Sequence, residues 1–255
     1  MPKVRGRPER SIGLGDAVNV KLEQWVSSEH LQADAIARYG RSIHHSLGRT
    51  AIIDDLLLPD KLAALRDLFS GDGRFEPAYG LFNRHPHDVS DEIFNAAPEA
   101  ERFYRYRNFR GPMPGRAMAR GMVHNALFTM LSRAPAWRAW LGGILGEPLA
   151  RQTAMHARIM SPGMFMKRHD DDAHGRLCAI FYLSPGWDPA FGSCFVQADK
   201  GQPVIEVAPL ANRLLLFSPG NGLSHGVAPM TEAADGWERW SYSLWYGNED
   251  DGAHA

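Results

Sequence analysis

Thr153-Ala154-Met155-His156-Ala157-Arg158-Ile159-Met160-Ser161-Pro162-Gly163 opens the part of the chain whose reading decides the fold. A run of strand length ends on a Ser-Pro-Gly turn, and the same punctuation returns at Ser184-Pro185-Gly186 and Ser218-Pro219-Gly220. Between these breaks, short runs occupy 153–160, 164–169, 176–183, 193–197, 203–207, 213–217, 223–228 and 239–246. Runs of this length bounded by Gly and Pro predict strands. Upstream the period changes. Met118, Met122, Leu127, Met130, Leu131, Trp137, Trp140, Leu141, Ile144 and Leu145 recur at helical spacing, and Pro135 separates two helices. Pro59 opens a further helix to Phe69 behind a short strand at Ala51-Ile52-Ile53, and one or two helices cover Asp16 to Arg38. Helices first and about eight strands after predict a mainly β fold with flanking helices. The core expected is a jelly roll with N-terminal helices packed outside.

Residues 70–114 are rich in Gly, Pro, His, Asn, Asp and Arg, interspersed with Phe75, Tyr79, Phe82, Phe94, Phe103, Tyr104, Tyr106 and Phe109. They read as a long irregular binding loop or lid. The organisation expected is a tail and helical extension over 1–48, the β domain over 49–247 and a tail over 248–255, ending in the solvated run Glu249-Asp250-Asp251.

With 255 residues, 44% of them hydrophobic, the chain can bury a sizeable core. Its 28 basic and 29 acidic residues leave a net charge of −1, so nothing global draws it to nucleic acid or an anionic membrane. No run of roughly 18 apolar residues predicts a membrane span. The basic stretch Met1 to Arg10 lacks the apolar segment of a secretory signal. Cys178 and Cys194 sit in apolar surroundings and read as core thiols of a cytoplasmic protein.

Chemistry concentrates in Lys167-Arg168-His169-Asp170-Asp171-Asp172. Side chains alternate along a strand, so His169 and Asp171 share a face and Asp170 points away. An imidazole and a carboxylate on one face supply two of the three ligands of a facial triad that leaves positions open on iron. His225 follows 54 residues on (225 − 171), in Leu223-Ser224-His225-Gly226-Val227, and Arg239 another 14 (239 − 225), in Arg239-Trp240-Ser241. On neighbouring strands the two can face each other across a barrel mouth. A guanidinium there offers a fork of donors matched to a carboxylate, with the Ser241 hydroxyl on the same strand face. The set and order of these residues make metal binding the preferred reading over a solvated acidic turn.

Residues 49 to 247 resemble the prolyl-4-hydroxylase-like branch of the Fe(II)/2-oxoglutarate-dependent oxygenases. The likeness is carried by Ile52-Ile53-Asp54-Asp55-Leu56-Leu57-Leu58 before a helix, His169-x-Asp171, Arg176, Phe181-Tyr182-Leu183, Asn212-Arg213-Leu214-Leu215-Leu216-Phe217, His225 and Arg239-Trp240-Ser241. The resemblance implies a double-stranded β-helix, Fe(II) on His169, Asp171 and His225, and the C5 carboxylate of 2-oxoglutarate on Arg239 with Ser241 helping. It further implies O2 as oxidant, ascorbate as a reductant, and hydroxylation of a C–H bond of an amino acid, amino-acid derivative or peptidyl residue with succinate and CO2 as coproducts. Two positions depart from the family: Met160 stands where many relatives place a tyrosine that touches the cosubstrate, and Gly192-Ser193 replaces a Gly-Gly pair. A carboxylate at 171 favours hydroxylation over halogenation, which needs a small residue there.

Alternatives keep the cofactors but exchange hydroxylation for desaturation or oxidative cyclisation, or take the fold as a non-catalytic ligand-binding jelly roll. The substrate is a small molecule or a peptidyl group, with no nucleic-acid or membrane partner. Candidate substrate contacts are Arg105 and Arg107, which share a face if on a strand, His85 of His85-Pro86-His87, and Arg168 and Arg176 beside the iron strand. His44 and His45 point in opposite directions on any regular element and do not share a metal. Asp172 and Asn212 are candidates for orienting the iron histidines.

Overall fold

The computed structural model describes residues 20–84, 86–170, 175–220 and 222–248. Two short 3-10 turns, Leu22–Gln24 and Ser28–Leu31, lead into α1 (Ala33–His45), which buries Ala35, Tyr39, Gly40 and Ile43. β1 (Thr50–Ile53) precedes α2 (Pro59–Asp67), where Pro59 lies in the first turn and its missing N–H breaks no helical bond. A π-turn over Leu68–Asp72 then feeds β2 (Gly73–Leu81), β3 (Asp88–Val89), α3 (Asp91–Ala96) and β4 (Arg102–Pro112). The helices α4 (Arg120–Arg133) and α5 (Pro135–Leu145) divide at Pro135, as the spacing predicts. Eight strands complete the chain: β5 (Arg151–Met160), β6 (Phe165–His169), β7 (Leu177–Tyr182), β8 (Phe195–Asp199), β9 (Gln202–Val207), β10 (Arg213–Phe217), β11 (Leu223–Val227) and β12 (Arg239–Gly247).

The expected irregular segment 70–114 carries two long strands, β2 and β4. β2 and β4 pair antiparallel from Gly73↔Pro112 to Leu81↔Arg102. The aromatics that punctuate it explain why: Tyr104 and Tyr106 occupy alternate positions of β4 and point inward together, while turn-forming residues fall between the strands.

The hydrogen-bonded strand order is β1-β10-β7-β12-β5-β4-β6-β11-β8-β9, with β2 and β3 beyond β4. β4 bonds β5 through Arg107↔Ile159 and Asn108↔Arg158, and bonds β6 through Tyr104↔Met166 and Arg105↔Phe165. This shared strand curls the sheet so that β5, β7 and β12 face β6, β8 and β11 across a cavity. The result is the jelly-roll core predicted.

The helices cover the outside of the β10-β7-β12-β5 layer. Ile159, Phe181, Leu214, Leu216, Tyr242 and Leu244 there merge into one apolar cluster with Trp25, Tyr39, Ile43, Phe128, Trp137 and Ile144. Every residue of β7 is therefore buried, on the helix side through Ala179 and Phe181 and on the cavity side through Cys178, Ile180 and Tyr182. Polar ends are satisfied within this layer: Trp137 Nε1 donates to Tyr246 Oη at 2.8 Å, and Tyr242 Oη donates to Asn125 Oδ1 at 2.7 Å. Asn212, considered above as an orienter of the iron histidines, acts elsewhere. Its Oδ1 accepts from Leu57 N–H and its Nδ2 donates to the Leu57 carbonyl, each at 2.9 Å, fixing the β1–α2 connection to the sheet. Cys178 and Cys194 are both buried, as expected.

Candidate active site

The cavity between the two layers has a volume of about 640 Å³, in the range of small-ligand sites. Strand alternation decides what enters it. β12 contributes Arg239, Ser241, Ser243 and Trp245; β5 contributes His156, Arg158 and Met160; β4 contributes Tyr104, Tyr106 and Asn108. The opposite wall carries His169 and His225.

His225 lies in β11 directly opposite His169 at the end of β6, and their ring centroids are 4.4 Å apart. Phe103 packs edge-on against His169, and Phe195 and Phe217 pack against His225, so neighbouring apolar rings restrict both imidazoles. His169 Nδ1 lies 3.0 Å from the Lys167 carbonyl oxygen. A bond there leaves the other ring nitrogen for a metal. The β6–β11 register slips just past His225. Gly226 sits at that slip. A Cβ on it would stand 2.9 Å from the Met166 carbonyl oxygen and 3.1 Å from the Arg168 nitrogen. Glycine is what lets the two histidine strands approach this closely.

The third expected ligand, Asp171, lies outside the described residues, as do Asp172 and His85. Among the described residues no three His, Cys, Asp or Glu side chains cluster as a metal site. The two histidines fit the imidazole part of an iron(II) facial site. Asp170 was expected to point away, but β6 ends at His169 and Asp170 sits at the cavity rim.

Across the cavity Arg239 is 4% exposed. Its guanidinium carbon stands 4.9 Å from the centre of the Tyr182 ring, and Nη1 reaches Met160 Sδ at 3.5 Å. Nε has no hydrogen-bond partner. A buried guanidinium that meets a thioether and the Tyr182 hydroxyl, with no carboxylate ion pair among the described residues, is suited to an anion. Ser241 is 2% exposed, on the same inward face. The site thus fits 2-oxoglutarate as well as iron.

Tyr182 was quoted above only as part of a motif, yet it belongs to this site. It pairs in register with Ser241, and its buried hydroxyl lies beside the Arg239 guanidinium. Burial pushes that hydroxyl above the ordinary tyrosine range against the opposing effect of Arg239, so it stays protonated and able to donate. The signal in the sequence was the two-residue alternation along β7. Arg158, Asn108, His156 and Trp245 were also missed, and the same alternation counted back from Met160 or on from Ser241 reaches His156, Arg158 and Trp245.

The arginines expected to touch substrate fall elsewhere. Arg105 and Arg107 do share a face of β4, but it is the face turned away from Tyr104, Tyr106 and Asn108. Arg105 is exposed, and Arg107 forms an ion pair with Glu238. Arg168 is exposed and donates to the Gly201 carbonyl at 2.6 Å. Arg176 is exposed and lies 3.5 Å from Glu147. For Arg105, Arg107 and Arg168 the one-residue offset from a cavity-facing neighbour turns the side chain outward, whereas Arg176 precedes the first residue of β7.

The curled antiparallel sheet thus sets two facing histidines on one wall of the cavity and a buried arginine on the other. Residues 155–247 match the family model described as 2OG-Fe(II) oxygenase superfamily. Solved structures with a similar fold include a prolyl hydroxylase from Trichoplax adhaerens, in complex with a hypoxia inducible factor oxygen degradation domain peptide fragment. The TM-score is 0.61 at 18% identity, covering 89% of this chain and 96% of that one. A Pseudomonas putida prolyl-4-hydroxylase gives 0.55 at 21% identity, covering 84% and 99%. A 2OG-Fe(II) oxygenase family oxidoreductase from Burkholderia pseudomallei gives 0.58 at 16% identity, covering 85% and 93%. No curated protein matches the chain. The chain carries a 2OG-Fe(II) oxygenase domain with the fold of the prolyl-4-hydroxylase-like branch. That domain is of the 2-oxoglutarate-dependent iron dioxygenase type, which uses Fe(II), 2-oxoglutarate and O2. No helix among the described residues is long and apolar enough to cross a membrane.

Proposed function

We propose that the protein hydroxylates an unactivated C–H bond of an amino acid, an amino-acid derivative or a peptidyl residue, with succinate and CO2 as coproducts. In this reading His169, Asp171 and His225 hold Fe(II), and Arg239 binds the C5 carboxylate of 2-oxoglutarate. Tyr182 and Ser241 add hydroxyl donors to that carboxylate, and Tyr182 fills the role left open by Met160. The observation that carries the reading is the buried Arg239, its Nε without a partner, in the same cavity as the facing pair His169 and His225.

The bound iron supplies the oxidising chemistry, and the protein's part is to bind, orient and exclude water. Arg239 positions the far end of the cosubstrate at a fixed depth, so that its other end meets the histidine wall. Phe103, Phe195 and Phe217 hold the imidazoles and limit solvent around them. No side chain is required as nucleophile or general base.

The test is aerobic incubation with Fe(II), ascorbate, 2-oxoglutarate and candidate amino acids and peptides, reading succinate. Formation above that of a His169→Ala control is expected. Succinate at the level of that control across the panel refutes the reading.

A further inference from the structure

Arg158 is used by neither the metal nor the cosubstrate site, and it poses the same physical problem as Arg239. It lies on the inward face of β5, paired laterally with Asn108 of β4 and Ser241 of β12. Its guanidinium carbon sits 4.8 Å from the Tyr106 ring centre and 5.7 Å from that of Trp245, an aromatic clamp that fixes its position at the cavity wall. Nε is buried without a hydrogen-bond partner, and no described carboxylate forms an ion pair with Arg158. Beside it, Asn108 Oδ1 is a buried acceptor that is also unsatisfied. Of the two described acids lining the cavity, Asp88 accepts the Tyr104 hydroxyl and Asp170 stands exposed at the rim. Neither neutralises Arg158.

Given the cosubstrate reading above, on which this step rests, 2-oxoglutarate completes one of the two inward arginines among the described residues and leaves the other. A held cation with a bare acceptor next to it matches a ligand that presents a carboxylate and, adjacent to it, an N–H or O–H donor. We infer that Arg158 and Asn108 are the receptor for the primary substrate, and that this substrate is a small molecule with a free α-carboxylate beside such a donor, the chemistry of a free amino acid. The carboxylate forms a bidentate pair with the Arg158 guanidinium, and the neighbouring ammonium or hydroxyl donates to Asn108 Oδ1. The backbone carbonyl of an internal peptide residue brings no charge and would leave Arg158 uncompensated.

The experiment uses the full chain loaded with Mn(II) in place of iron, with binding measured by titration calorimetry. The 2-oxoglutarate affinity is measured first for the native protein, Arg158→Gln, Asn108→Ala and Arg239→Gln. Loss in Arg239→Gln alone is expected, and retained affinity in the other two also reports that they fold. With 2-oxoglutarate bound, the free proteinogenic L-amino acids are then titrated, each beside its carboxamide. At least one free acid should bind the native protein, on the order of 10–100-fold more tightly than its amide and than it binds Arg158→Gln, with a smaller loss in Asn108→Ala. Arg158→Gln weakening 2-oxoglutarate as Arg239→Gln does would make Arg158 a cosubstrate residue and overturn the inference. So would acids and amides bound alike, or native and Arg158→Gln proteins indistinguishable across the panel. A native protein that fails to bind 2-oxoglutarate strikes the proposed function itself, a result separable from these.

Discussion

Replacing Arg239 with Met separates what the arginine does for binding from what it does for stability. Arg239 is 4% exposed, Nε is unpaired, and Nη1 reaches the Met160 thioether at 3.5 Å. An unsatisfied buried donor costs about 1–3 kcal/mol, and the cavity can admit water, so the lower end of that range applies. Methionine has similar length and no donors. The ligand-free variant should therefore be more stable by about 1 kcal/mol, raising Tm by roughly 2–4 °C. Binding changes in the opposite direction. Losing a charge-assisted bidentate contact is worth roughly 2–4 kcal/mol, or about 30–1000-fold in 2-oxoglutarate affinity. At a concentration 100 times the native Kd, the native protein gains about 2.7 kcal/mol from ligand, whereas a variant bound about 100-fold more weakly gains only about 0.4 kcal/mol. Thermal melts of both proteins with Mn(II), with and without 2-oxoglutarate, read both effects. The variant should melt higher without ligand and lower with it. A variant that melts lower in both conditions, or keeps the full ligand-induced rise, refutes the assignment of Arg239 as an anion site awaiting its ligand.

Gly226→Ala introduces a Cβ 2.9 Å from the Met166 carbonyl oxygen, so β6 and β11 must separate by a few tenths of an ångström. Metal sites tolerate only about ±0.2 Å in ligand distances, and Mn(II) affinity by equilibrium dialysis should fall roughly 10–100-fold; an unchanged affinity would show that the strand contact does not set the histidine spacing. Tyr182→Phe removes one neutral hydroxyl donor from beside Arg239, and the 2-oxoglutarate Kd by calorimetry should rise about 2–10-fold, far less than for Arg239→Met. Equal losses in the two variants would contradict the order proposed. Asn212→Ala deletes both bonds to Leu57 and puts alanine at a φ of 65°, and urea denaturation should show a loss of about 2–3 kcal/mol. Mn(II) affinity should be unaffected, because Asn212 lies on the β1–α2 connection and not at the histidines.

A family likeness suggested one chemistry for His169, Asp171, His225 and Arg239, while alternation and punctuation in the sequence determined the eight C-terminal strands and the paired helices either side of Pro135. These are local signals: a period of two, a Ser-Pro-Gly break, a proline at a helix start. The reading failed where the period was masked by composition, as over 70–114, whose Gly, Pro and charged residues hid the long strands β2 and β4. It also left open which way several side chains face, since that depends on a one-residue choice. Arg105, Arg107, Arg168 and Arg176 are chemically as suited to an anion as Arg158, and sequence spacing to the iron motif favoured Arg168 and Arg176. Only the tertiary structure turned those outward to Glu238, Gly201, Glu147 and solvent, and brought Arg158 inward between Tyr106 and Trp245. The physical reason is that inward and outward are defined by the closing of the sheet through β4, a pairing between segments tens of residues apart. A strand's own residues carry the alternation but not its phase relative to a cavity that other strands enclose.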